Sequence, residues 1–315
     1  MDPKWIVLII IGAVLIAYFI CSYLIYRRLF LRKQYKSVEF VDHTAPFFAS
    51  SREWYDRSPK ETITIRGYDG VKLTGIFLPS YDDKSTQTAI VLHGYQSQAT
   101  DMIVIGKMYN DMGFKVMLVN LRGHGESEGD FTTFGHYEKQ DLKKWINYAL
   151  RTYGNTDNIL LHGVSLGAAT VMLASAINIP ENVKLIVADC GFTTLLGMLA
   201  FNIKPKPLLL FLPGVNLFTY YNHRFLLRDV SPLRAVVKGR IPLFIYHGTS
   251  DSKVPFKMGE RLIAAAKAPF KELYPVEGAE HAQGFVVDKI GIERRLFELV
   301  CKFFSVKKIV KKQMK

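Results

Sequence analysis

The chain opens with an unbroken apolar stretch. From Trp5 to Tyr26, 22 residues carry no charge and are mostly Ile, Leu, Val and aromatics. As a helix rising about 1.5 Å per residue, they cross the roughly 30 Å hydrocarbon core of a bilayer. The stretch exceeds the roughly 7–15-residue apolar region of a cleaved signal peptide, and no small-x-small cleavage site follows it. It predicts one transmembrane helix. Further along, Thr62–Leu78 alternates at period two across Asp69-Gly70, which predicts a β-hairpin. Short continuous apolar runs follow at Ala89–Leu92, Lys115–Val119, Ile159–Leu161, Val183–Ala188, Leu243–Tyr246 and Glu272–Val276. Between them lie segments of helical period at Ala99–Met112, His136–Thr152, Leu166–Ile177 and Phe256–Ala266. Runs with no polar face, separated by helices, predict an α/β protein with a mostly parallel sheet of about eight strands, covered on both sides.

The chain divides accordingly into a transmembrane anchor with its basic flank (1–36), a linker (37–60), an α/β domain (61–304) and a basic tail (305–315). Between the sixth and seventh strands, Phe192–Arg240 holds 49 residues. One crossover helix needs about 15–20, so an insertion is predicted at about 192–240. Its stretch Leu195–Leu227 contains Lys204, Lys206 and Arg224 but no acid. This segment reads either as a lid that lines a pocket and touches the bilayer, or as an internally packed group of helices.

Charge sharpens the membrane reading. The 41 Lys and Arg exceed the 28 Asp and Glu by 13, and eleven of those charges lie in Met1–Lys36 and Cys301–Lys315. The nearly neutral body argues against a nucleic-acid groove, which needs clustered cations on one face of the fold. Basic ends point instead to anionic lipid. More cations follow the apolar stretch than precede it, so the positive-inside rule places a single-pass protein in the cell membrane with its α/β domain on the cytoplasmic side. The tail Lys307–Lys312 reads either as a second headgroup contact or as a soluble basic terminus. Cys21, Cys190 and Cys301 are odd in number and widely spaced, which indicates neither a disulfide framework nor a structural zinc site.

The chemistry-bearing residues sit at strand ends, where the loops of such a sheet line a crevice. Ile159–Ala169 reads as strand, tight turn and helix, with Gly163-Val164-Ser165-Leu166-Gly167 at the turn. Ser165 is the candidate nucleophile, and the glycines let strand and helix approach closely. A serine nucleophile needs a base held by a carboxylate. His281 and Asp251 each follow a later strand, and the order Ser, Asp, His suits this turn. Asp189, also at a strand end, is the competing acid. His124, His162 and His247 read as turn and packing histidines. An oxyanion hole needs two backbone N–H donors, assigned to Leu166 and, in the loop His93-Gly94-Tyr95, to Tyr95.

Together, His93-Gly94-Tyr95, Asn120–Ser127, Gly163–Gly167, His247–Asp251 and Gly278–His281 resemble the α/β-hydrolase superfamily over about Glu61–Phe304. Within it they are similar to the serine-aminopeptidase-like and monoacylglycerol-lipase-like branch, which includes membrane-anchored bacterial hydrolases. The resemblance implies an α/β-hydrolase fold with a cap and a Ser165–His281–Asp251 triad that cleaves an ester or thioester without cofactor or metal. A small-molecule acyl ester or lipid is the expected substrate. Asn120 departs from the family pattern, whose turn often begins with Asp. The alternatives are a peptidase or aminopeptidase acting on short peptides, and a non-catalytic membrane-tethered interaction module.

Overall fold

The computed structural model describes residues 2–31, 46–154 and 158–304. The basic tail and the flanking Arg32, Lys33 and Lys36 lie outside these residues. In chain order the helices and strands begin with α1 (Pro3–Phe30), α2 (Pro46–Arg57), β1 (Glu61–Arg66), β2 (Lys72–Leu78) and β3 (Gln87–Leu92). They continue with α3 (Ile103–Asp111), β4 (Lys115–Val119), α4 (Glu138–Tyr153), β5 (Asn158–Val164), α5 (Leu166–Ala174) and β6 (Val183–Asp189). Three helices, α6 (Leu195–Asn202), α7 (Leu212–His223) and α8 (Pro232–Lys238), separate β6 from β7 (Leu243–Gly248). The chain then forms α9 (Phe256–Ala265), β8 (Lys271–Val276), the short α10 (Gly284–Val287) and α11 (Lys289–Phe303).

The eight strands form one sheet in the order β1-β2-β4-β3-β5-β6-β7-β8. The first two pairings in that order, β1 with β2 and β2 with β4, are antiparallel; the rest are parallel. The predicted hairpin turns at Gly70, whose φ of 90° a side chain would resist. The continuous apolar runs have a direct cause in the alternation of side chains across the sheet. On β3, Ile90 and Leu92 enter the core beneath α4 and α5, whereas Ala89 and Val91 enter the core beneath α3 and α11. Both faces are therefore dry, and no polar alternation survives in the central strands.

Two segments enter the body more deeply than the sequence pattern indicated. Within the stretch read as a linker, α2 packs on α3 and presents Phe47, Phe48, Trp54 and Tyr55 to the core on that side. The apolar helix α1 is 28 residues long, and its most apolar window has a mean hydropathy of 2.7 with 6% of it buried. Yet its final turns belong to the core: Ser22, Tyr26 and Phe30 are buried, and the Phe30 ring meets Phe134 edge-on at 5.4 Å. Thr132 N–H donates to the Phe30 carbonyl at 2.8 Å, and Leu31 forms an antiparallel bridge with Phe131. The far end of α1 stands away from the body, with Trp5 61% and Ile9 59% exposed.

Candidate active site

The turn between β5 and α5 is as tight as its glycines require. Ser165 has φ 53° and ψ −105°, a conformation outside the favoured regions for a side-chain-bearing residue. A Cβ at Gly163 would overlap the Gly167 carbonyl and come 2.6 Å from Ala168 N, and one at Gly167 would overlap the Leu92 carbonyl. No side chain fits at either position without separating the strand from the helix. The strained serine is held from both sides, since its N–H donates to the Asp189 carbonyl at 2.8 Å and its carbonyl accepts from Ala169 N at 3.0 Å.

The loops after β7 and β8 bring Asp251 and His281 to this serine. Asp251 Oδ2 and His281 Nδ1 are 2.7 Å apart, and His281 Nε2 lies 2.9 Å from Ser165 Oγ. A carboxylate can only accept, so Nδ1 carries the proton and Nε2 is left to accept from the serine hydroxyl. The other carboxylate oxygen of Asp251 accepts from Lys253 N at 2.8 Å and Val254 N at 2.7 Å. Burial by itself would raise the Asp251 carboxyl pKa. The hydrogen bonds from His247 and His281, the His281 charge and the Val254 N–H outweigh that and hold it well below the usual carboxylate range.

Asp189, the competing acid, takes a different place. Its backbone carbonyl anchors Ser165, while its buried carboxyl is raised to about 6, chiefly by burial, against the lowering effects of His281, His247, Cys190 and Tyr246. The His281 Nδ1 contact is to Asp251. His247 is nearer the chemistry than a packing histidine need be: its Nε2 lies 2.8 Å from the Val254 carbonyl and 3.4 Å from Asp251 Oδ2. Its placement at the end of a strand, four residues before Asp251, was the available signal. His162 sits between Tyr109 Oη at 2.8 Å and Tyr246 Oη at 3.1 Å, and burial lowers its pKa to about 3. His124 turns Nδ1 toward the Arg122 carbonyl at 2.8 Å and accepts from Gln96 N at 3.3 Å.

The loop after β3 closes over the serine, and a Cβ on Gly94 would lie 3.5 Å from Ser165 Cβ. Tyr95 and Leu166 both line the cavity that contains Ser165. The Leu166 N–H, at the first position of α5, has no acceptor within the helix. The Tyr95 side chain reaches elsewhere, donating from Oη to the Leu29 carbonyl of α1 at 3.0 Å. The departure at Asn120 is structural: its Oδ1 accepts from Ala99 N at 2.8 Å, and its Nδ2 donates to Thr74 Oγ1 at 3.0 Å, which a carboxylate cannot do. The following Arg122 is buried and pairs with Asp141 at 2.7 Å and Asp69 at 2.8 Å, tying the β1–β2 turn to α4.

The cavity has a volume of about 600 Å³, within the roughly 300–1,000 Å³ of small-molecule sites. Besides Ser165 and His281, it is lined largely by apolar side chains, among them Met198 and Leu199 of α6 and Ile25 and Leu29 of α1. The contribution of α1 was absent from the sequence reading. Among the described residues, Cys190, Asp251 and His281 place possible metal-ligand atoms within 4.8 Å of one another. This set suits proton transfer better than a cation, because Asp251 and His281 already bind each other. Burial also raises the Cys190 thiol well above its usual range, which keeps it protonated.

The sheet order, the strand–turn–helix at Ser165 and the crossover after β3 define the α/β-hydrolase fold, and residues 90–214 match the family model of that fold. Among curated proteins, the chain is 27% identical over 240 residues to the uncharacterized protein YqkD of Bacillus subtilis, covering 75% of this chain and 78% of that one. It is 26% identical over 229 residues to the uncharacterized protein YfhR of Escherichia coli K12, covering 71% of this chain and 74% of that one. Among solved structures, the esterase Pf2001 of Pyrococcus furiosus superposes with a TM-score of 0.68 at 22% identity, covering 87% of this chain and 99% of that one. The esterase domain of a Rhodothermus marinus protein superposes with a TM-score of 0.55 at 19% identity, covering 78% and 99%.

Proposed function

We propose that this protein is a membrane-anchored serine hydrolase that cleaves carboxylic esters or thioesters of acyl-bearing, lipidic substrates through an acyl-enzyme. The observation that carries the reading is the continuous chain from Asp251 through His281 to Ser165, with both ring nitrogens of His281 engaged at 2.7 and 2.9 Å. Its place in the wall of a largely apolar cavity, next to the N-terminus of α5, supports it.

Ser165 Oγ attacks the carbonyl carbon while its proton passes to His281 Nε2, and Asp251 stabilises the imidazolium through Nδ1–H. The Leu166 and Tyr95 N–H groups hold the negative oxygen of the tetrahedral intermediate. The C–O or C–S bond to the leaving group then breaks as His281 Nε2 protonates it, leaving an ester on Ser165. Water attacks that ester and gives a proton to His281. The departing Ser165 oxygen takes the proton back, and the carboxylic acid is released.

The segment 192–240 acts as the cap of this site, as α6 supplies part of the acyl wall. The acid-free stretch Leu195–Leu227 favours an acyl ligand over a peptide amine. Ser165→Ala is expected to abolish covalent labelling by a fluorophosphonate probe and hydrolysis of p-nitrophenyl esters by the full chain. Labelling or turnover that persists in this variant refutes the proposal.

A further inference from the structure

The way α1 meets the cavity bears on the substrate, granted the reading of Ser165 as the nucleophile. From Trp5 to Leu24 the helix exposes apolar side chains over about 30 Å, the thickness of a hydrocarbon core. Its contacts with the body begin inside that span. The Tyr18 ring lies 5.4 Å from Phe211, Gly214 N donates to Tyr18 Oη at 3.1 Å, and a Cβ on Gly214 would overlap Ser22 Oγ. Higher up, Tyr26 Oη is 2.6 Å from His223 Nε2. The pairs Tyr18–Phe211, Ser22–Gly214 and Tyr26–His223 show α7 running beside α1 in the same direction. The short turn before α7 therefore lies furthest along α1 toward its amino terminus.

That deep end is apolar and uncovered. Leu210 is 74% exposed, an arrangement that water disfavours and hydrocarbon does not. The elements that carry this surface also wall the cavity, with Ile25 and Leu29 from α1 and Leu208 from the turn before α7. The cavity rim is cationic. Arg28, Lys204 and Lys253 line it, and none forms a salt bridge with a described residue. Of the carboxylates lining it, Asp101 is occupied by Ser97 Oγ at 2.7 Å and Gln98 N at 3.1 Å, while Asp189 is buried.

We infer that the cavity draws its substrate sideways from the leaflet at the C-terminal end of α1, and that this substrate is an acyl ester amphiphile with an anionic head group. The acyl chain passes between α1 and the turn before α7 to lie against Ile25, Leu29 and Leu208. The head group stays at the rim with Arg28. In this arrangement α1 is a wall of the substrate site, and through the bond from Tyr95 to the Leu29 carbonyl it also steadies the loop that faces Ser165.

The test uses the full chain in phosphatidylcholine vesicles and three substrates: a dodecanoyl lysophosphatidylglycerol, monododecanoylglycerol and p-nitrophenyl acetate. Leu29→Trp, which fills the cavity from α1, is expected to lower the kcat/KM ratio of the dodecanoyl substrates to acetate at least tenfold. Arg28→Gln is expected to lower the ratio of anionic to neutral dodecanoyl substrate at least fivefold. Leu24→Trp, on the exposed face of α1, leaves both ratios unchanged. In a Trp5→Phe background, a tryptophan introduced by Leu210→Trp is expected to be quenched by vesicles with brominated acyl chains beyond the quenching of that background, which reports bilayer contact independently of turnover. Unchanged ratios in both cavity variants, or an unquenched tryptophan, overturn the inference. Failure of the nucleophile reading looks different, because the unmodified chain would then lack Ser165-dependent fluorophosphonate labelling altogether.

Discussion

Replacing Asp251 by Asn removes one charge and no heavy atom, so its effect isolates what that carboxylate does. The geometry dictates how the new amide sits. One carboxylate oxygen accepts from two backbone donors, Lys253 N at 2.8 Å and Val254 N at 2.7 Å, and an NH2 group turned toward them would oppose donor to donor. The amide oxygen therefore stays on the loop, and the NH2 faces His281 Nδ1. His281 can keep that contact only by accepting at Nδ1, which moves its proton to Nε2, opposite Ser165 Oγ. The ring then presents a donor where the serine proton must be received. A histidine locked in the wrong tautomer costs about 10⁴ in kcat in the Ser-His-Asp template, equivalent to about 5.5 kcal/mol of transition-state stabilisation. Steady-state hydrolysis of p-nitrophenyl butyrate is expected to fall by about that factor in Asp251→Asn, with KM little changed. The fluorophosphonate labelling rate should fall in parallel, since it depends on the same proton transfer. Turnover within tenfold of the unmodified chain, or a larger loss in Asp189→Asn, refutes the reasoning and moves the role of acid to Asp189.

Asp189 supplies a prediction of opposite sign to an ordinary ion-paired carboxylate. Its folded pKa of about 6 lies above its usual value, so its favourable contribution is complete below about pH 4 and is lost as pH rises through 6, about 3 kcal/mol for a shift of about two units. Asp189→Asn should lack this loss, and thermal unfolding in detergent at pH 4.5, 6 and 7.5 should show the variant gaining on the unmodified chain with rising pH; parallel curves count against it. Arg122→Ala leaves Asp141 buried without its partner and should destabilise the fold by about 3–5 kcal/mol, read as a lowered Tm. A Tm within about 2 °C of the unmodified chain would contradict that role.

Much of this protein was legible along the chain. All eight strands appear as short apolar runs or as the alternating hairpin, because a sheet covered on both faces leaves no alternation of polar and apolar positions in its central strands. The turn at Ser165 was legible because only glycine tolerates the approach of Leu92 to Gly167 and of Gly163 to the first turn of α5. The excess length between β6 and β7 was legible along the chain, and α6, α7 and α8 occupy it.

Three matters waited for the tertiary structure. Asp189 ends β6 and Asp251 follows β7, and local pattern does not say which carboxylate reaches His281 Nδ1; that follows from where the loops after β7 and β8 converge. Helix α2 lies in the stretch read as a linker, and its place against α3 depends on aromatic contacts distant in sequence. The third is α1. It is apolar all round, so nothing in its sequence separates the face that packs on the body from the face that does not. Its composition alone determined that it is long and apolar enough to span a bilayer. Only the packing of Tyr26 and Phe30 into the core decided that its last turns also wall the cavity beside Ser165, because that placement rests on partners about one hundred and two hundred residues away.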